Sequence, residues 1–138
     1  MTRVLMIDEN RRLTQSVGMQ CVARGIAVRM GDTFCEGVRH LLETPVSLII
    51  LSSGLVHIPE AELVLLFDTV APGVPVVIRV RAGQDMDEQV RFELHGFRVV
   101  REPFDVLDLV AKTERSARVI VPRSVEVATA LEPVCPKR

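Results

Sequence analysis

The sequence predicts an α/β fold: a doubly wound, five-stranded parallel sheet with five flanking helices. Short apolar runs of strand length alternate with longer stretches of helical spacing. The links between them are short turns, as in consecutive βαβ units. The runs at 4–7 and 47–51 are almost continuously apolar, the mark of strands covered on both faces.

Val4-Leu5-Met6-Ile7 forms the first strand. From about 11 to 24, Leu13, Val17 and Cys21 recur at helical spacing, and Gly25 stops the helix. Ile26 to Met30 alternates, as a strand nearer an edge would. Thr33 and Glu36 form a capping box, after which Phe34, Val38, Leu41 and Leu42 make one apolar face, ended before Pro45. The third strand is 47–51, closing on Ser52. Pro59 suits the first turn of a third helix, and Glu60 and Glu62 suit its positive start. Leu63, Leu66, Phe67 and Val70 face inward. Gly73-Val74-Pro75 turns the chain into a fourth strand at Val76-Val77-Ile78. A helix at 85–95 turns Met86, Val90 and Leu94 inward and ends at Gly96. Phe97-Arg98-Val99-Val100 is the fifth strand. The last helix, about 105–115, offers Val106, Leu109 and Val110 to the core.

Composition narrows the function classes. The chain has 138 residues, a net charge of −1 and no clustered basic residues, so it carries no electrostatic footprint for nucleic acid. It lacks Trp and Tyr, which leaves no stacking platform for bases. No apolar run reaches bilayer length, and the N-terminus meets Asp8 too early for a signal peptide. Cys21 and Cys35 read as buried thiols in a reducing cytoplasm; Cys135 sits in a tail. His40, His57 and His95 do not cluster at metal-ligand spacing, and His95 is expected to cap its helix. No glycine pattern forms a phosphate loop.

In open α/β sheets the site lies beyond the carboxyl ends of the strands. That singles out Asp8, Glu9, Ser52, Ser53, Val80, Arg81 and Glu102. At these positions residues 2–117 resemble the receiver domain of bacterial two-component response regulators. The resemblance rests on the first strand with Asp8-Glu9-Asn10, on Pro75-Val76-Val77-Ile78, and on Glu102-Pro103-Phe104 where such domains read Lys-Pro-Phe. It implies a flavodoxin-like, CheY-like sheet of order 2-1-3-4-5. It also implies a phosphate-accepting aspartate ending the third strand, an acidic pair holding magnesium, a Thr or Ser ending the fourth strand, and a lysine for the phosphoryl oxygens.

Against that pattern the chain is degenerate. Asp8 and Glu9 match the acidic pair, but Ser52 fills the acceptor position, Val80 (or Arg81, one residue on) the hydroxyl position, and Glu102 the lysine position. A serine hydroxyl is not ionised at neutral pH and needs a base to act as a nucleophile. Glu102 repels phosphoryl oxygens. A magnesium site on Asp8 and Glu9 is therefore not expected to be filled, and no cofactor is expected. Arg79, Arg81 or Arg101 should neutralise these acids instead, with Arg81 placed to reach Asp8.

The expected organisation is a receiver-like domain at 1–117 and a tail at 118–138. The tail leaves no room for an output domain and is expected to dock, on a second copy, in a homodimer. The function expected is a single-domain, phosphorylation-independent, non-enzymatic protein-binding module. Its partner would be a histidine kinase or a downstream effector, met through a face at about 84–117. Two alternatives stand beside this. One is a module like the anti-sigma-factor antagonists, phosphorylated on Ser53 in Ser52-Ser53-Gly54-Leu55. The other is a small α/β ligand-binding protein or enzyme, for which a nucleophile–base pair is missing.

Overall fold

A computed structural model describes residues 2–81, 83 and 86–116. Residues 117–138, which include the tail expected at 118–138 with Cys135 and its docking on a second copy, lie outside the described residues. The order is β1 (Arg3–Ile7), α1 (Arg11–Ala23), β2 (Ala27–Gly31), α2 (Phe34–Glu43), β3 (Leu48–Ser52), a 3₁₀ turn (Ser53–Leu55), α3 (Glu60–Val70), β4 (Val76–Val80), α4 (Met86–Leu94), β5 (Arg98–Arg101) and α5 (Val106–Ser116). All four pairings are parallel, and the sheet order is β2-β1-β3-β4-β5, as the resemblance implies.

Two apolar cores sandwich the sheet. One joins Leu5, Ile7, Ile49, Leu51, Ile78 and Val80 to α2, α3 and α4 through Leu41, Leu63, Phe67 and Phe92. The other joins Val4, Met6, Leu48, Ile50 and Val77 to α1 and α5 through Val17, Cys21, Val106, Leu109 and Val110. Every residue of β3 and β4 is buried, so each fully covered aliphatic side chain there contributes about 1.5–3 kcal/mol. One of those buried residues is Arg79.

Helix starts follow local chemistry. Asn10 caps α1, its side-chain oxygen accepting from Leu13 N–H at 3.2 Å. Thr33 caps α2 by accepting from Glu36 N–H at 3.1 Å. The Glu36 carboxylate returns to Asp32 N–H at 3.3 Å, one residue before the partner a capping box requires. Pro59 stands at the N-cap of α3, one position ahead of its expected place. Thr44 takes an extended conformation before Pro45 and ends α2. The His95 ring nitrogen Nδ1 lies 2.9 Å from Arg91 O, the capping contact expected of it. Gly37 lets α2 lie on β1, because a Cβ there would meet Ile7 Cγ1 at 2.5 Å.

Three expectations about faces fail. Cys35 is exposed, because the inward face of α2 runs through Gly37 and Leu41 and Cys35 lies off it. Leu42, one step around from Leu41, is exposed as well. On α4 the stripe Met86, Val90 and Leu94 faces outward, and Phe92 alone is buried. The Phe92 ring meets Phe97 edge to face at 6.1 Å, and that contact sets the rotation of the helix.

Candidate functional site

Because all five strands run the same way, Asp8, Ser52, Val80 and Glu102 gather at one edge of the sheet. Asp8 and Glu102 directly follow β1 and β5, while Ser52 and Val80 close β3 and β4. Asp8 is fixed there by its own N–H, which donates to Gly31 O at 3.0 Å on the edge strand. Its Oδ1 accepts from Asn10 N–H at 2.9 Å.

The centre of the cluster is Arg79, in register with Ser52 across the β3–β4 pair. It is 1% exposed. From β4 its side chain crosses the end of β3 and grips the Asp8 carboxylate with both Nε and Nη2, the latter at 2.8 Å from Oδ1. Nη2 also donates to Ser52 Oγ at 3.1 Å and to Glu9 Oε1 at 3.3 Å. Nη1 donates to Glu102 Oε1. One guanidinium therefore ties together the ends of β1, β3, β4 and β5. The paired contact on Asp8 is the planar, charge-assisted geometry in which arginine binds a carboxylate most strongly.

Arg81 does not reach Asp8. Its exposed guanidinium lies 3.8 Å from Glu9 Oε2, the rim of the pocket. The reason is position along the chain: Arg79 points into the site from within β4, whereas Arg81 lies beyond its end. Arg101 is directed elsewhere, donating to Gln89 Oε1 at 2.9 Å and to Arg81 O at 3.3 Å. Val80 is buried in the core on the α2–α4 side.

Electrostatics differ sharply from residue to residue. Burial pushes the Asp8 carboxyl above its ordinary range, and Glu9 adds to that push against the pull of Arg79 and the Asn10 N–H. Burial works upward on Glu9 too. There it is outweighed by hydrogen bonds with Asp8, Ser52 and its own backbone and by the charge of Arg79, so Glu9 titrates below the usual range. Burial disfavours the charge on Arg79, but Asp8, Glu102 and Glu9 hold it more firmly charged than an ordinary arginine.

Ser52 Oγ accepts from Gly54 N–H at 3.3 Å besides Arg79. Ser53, in the following turn, is 7% exposed. Gly54 is shaped by the same cluster: a Cβ there would stand 2.6 Å from Glu9 Oε2. Among the described residues no group of three His, Cys, Asp or Glu side chains is disposed to hold a metal ion. The donors suited to magnesium, Asp8 and Glu9, are engaged by a guanidinium instead, so they do not fit the ion that the resemblance implies.

No protein-family model matches the sequence, and no curated protein matches it. Solved structures do. A Burkholderia pseudomallei response regulator, determined with a phosphorylated aspartic acid, a calcium ion and citrate, is 19% identical with a TM-score of 0.69; the match covers 96% of this chain and 75% of that one. A two-component response regulator from Clostridium difficile is 17% identical with a TM-score of 0.71, over 86% and 98% of the two chains. A CheY-like receiver domain protein from Methanospirillum hungatei is 18% identical with a TM-score of 0.69, over 84% and 93%. This chain has the receiver fold. Within that fold Asp8, Glu9, Ser52 and Glu102 meet as the sequence places them, whereas Val80 turns into the core and Arg81 stays at the rim. Of the three arginines expected to neutralise the acids, Arg79 takes the central place rather than the favoured Arg81. The signal for Arg79 was a charge inside a strand otherwise apolar on both faces, which must find a partner.

Among the described residues no helix is long and apolar enough to cross a membrane.

Proposed function

We propose that this chain is a degenerate receiver that works in signal transduction as a protein-binding module, without aspartyl phosphorylation and without catalysis of its own. The observation that carries this reading is Ser52. It ends β3, where a receiver presents its acceptor carboxylate, and it is a buried hydroxyl already accepting from Arg79 and Gly54. A neutral alcohol is a poor nucleophile unless a base removes its proton. Glu102 reinforces the argument, because its carboxylate would repel the phosphoryl group that a lysine there would bind.

Partner binding fits the surface of α4. Met86, Val90 and Leu94 form an outward apolar stripe at i, i+4 and i+8. In this reading that stripe, with the adjoining β5 and α5, receives a histidine kinase or a downstream effector in a soluble compartment.

The phosphorylation claim is tested by incubating the full chain with acetyl phosphate and magnesium and measuring its intact mass. The expected result is an unmodified chain. A phosphoryl adduct in the strand-end cluster would overturn the reading.

A further inference from the structure

We infer that Arg79 is the resident cation of the strand-end pocket: it stands in for the divalent ion that a receiver would bind there, and the pocket does not take up magnesium. The inference goes beyond the proposed function and does not rest on it, since it concerns an ion and not a covalent modification.

Three carboxylates converge on this one side chain, those of Asp8, Glu9 and Glu102. Magnesium demands near-octahedral oxygen donors at close range, commonly carboxylates and water. Here both Asp8 oxygens accept from Arg79, as do one oxygen each of Glu9 and Glu102 and the Ser52 hydroxyl. The second Glu9 oxygen faces Arg81. An incoming dication would have to displace a guanidinium that cannot lose its proton and is nine-tenths and more buried. Displacement would also leave that positive charge beside the metal.

Residue 52 takes part in the arrangement. Arg79 passes over the end of β3, and Ser52 offers it a small acceptor. The side chain thereby reaches β1 and β5 at once, which a strongly hydrated ion coordinated on β1 alone would not do. Arg79, with Arg81 at the rim, offsets most of the carboxylate charge and ties the strand ends together without any added ligand.

The experiment uses manganese as a paramagnetic probe on the full, isotope-labelled chain. Amide signals of Asp8, Glu9, Ser52 and Glu102 are followed as MnCl2 is raised to millimolar concentration. In the wild type these signals stay sharp, and broadening confined to them would overturn the inference. Arg79→Met removes the guanidinium while keeping an apolar stem, and it should bind Mn2+ at the pocket at least about tenfold more tightly than the wild type. A folded Arg79→Met chain that still ignores Mn2+ would show that Arg79 is not what excludes the ion. Ser52→Asp keeps Arg79 and adds a carboxylate. Its pocket signals should also stay sharp, and their broadening would overturn the inference even if Arg79→Met does not fold.

Discussion

Arg79 and Asp8 are both almost wholly inaccessible to water, so their pairing is the most consequential contact in the cluster. Removing one member of a buried ion pair leaves the other charge unsolvated, a loss of about 3–5 kcal/mol. Arg79→Ala is expected to lower stability by that amount, read as a shift of the urea midpoint. Glu102 is about a third exposed, at 34%, so solvent screens its contact and Glu102→Gln should cost about 1 kcal/mol or less. Glu102→Lys restores the residue type that a receiver carries, yet it sets a second cation against Arg79 and should destabilise more than Glu102→Gln. The acids of β1 give a pH signature of opposite signs. Glu9 has a lowered pKa when folded, so its stabilisation is present above about pH 4.5 and is lost as pH falls through the folded value. Asp8 has a raised one, so the folded chain holds its proton more firmly and this contribution fades as pH rises from about 3.8 through the folded value. Glu9→Gln should therefore flatten the loss of stability between pH 7 and pH 3.5, and Asp8→Asn should steepen it, as urea titrations at the two pH values would show. Asp8, Glu9, Ser52 and Glu102 were legible because strand ends are countable in a parallel sheet. Arg79 was legible only as one of three candidate cations, with Arg81 favoured, because the choice depends on the reach of a long side chain across a neighbouring strand.

At the scale of an element, strands read more clearly than helix faces. A buried parallel strand shows as a continuous apolar run, and β1, β3 and β4 were each found within a residue or two at their starts. The rotation of a short helix is less determined. In α4, Met86, Val90 and Leu94 offer a regular stripe, but the larger Phe92 wins the core by packing on Phe97. The same competition between local pattern and tertiary contact decides Gly37. Replacing a helical glycine by alanine favours the helix by about 1 kcal/mol. Here the added Cβ would press on Ile7, a fully buried side chain of β1. Overpacking of this kind costs about 1–3 kcal/mol. Gly37→Ala is thus expected to be destabilising in spite of its better propensity, with a lowered thermal midpoint as the readout. An unchanged or raised midpoint would mean that α2 can move off the sheet.

Across the whole molecule, the strand-end pocket and the α4 surface differ in what they leave exposed. The strand-end pocket is closed on itself by Arg79, whereas α4 carries Met86, Val90 and Leu94 outward at 61%, 44% and 78% exposure. Side chains that contribute little to the fold are free to contribute to binding. Replacing them should therefore separate stability from association. Val90→Glu combined with Leu94→Glu is expected to change unfolding free energy by about 0.5 kcal/mol or less per site, as exposed positions generally do. If α4 is the partner surface proposed above, the same double variant should lose proteins that co-purify with the wild-type chain from cells expressing it. Leu65→Glu, on exposed α3 surface at 67%, is the matched control and should keep them. Loss with Leu65→Glu and retention with the double variant would move the partner surface from α4 to α3. Because the acidic pocket and the α4 stripe are distinct, Ser52→Ala should leave the captured set unchanged; its loss would show that the strand ends still govern the binding face.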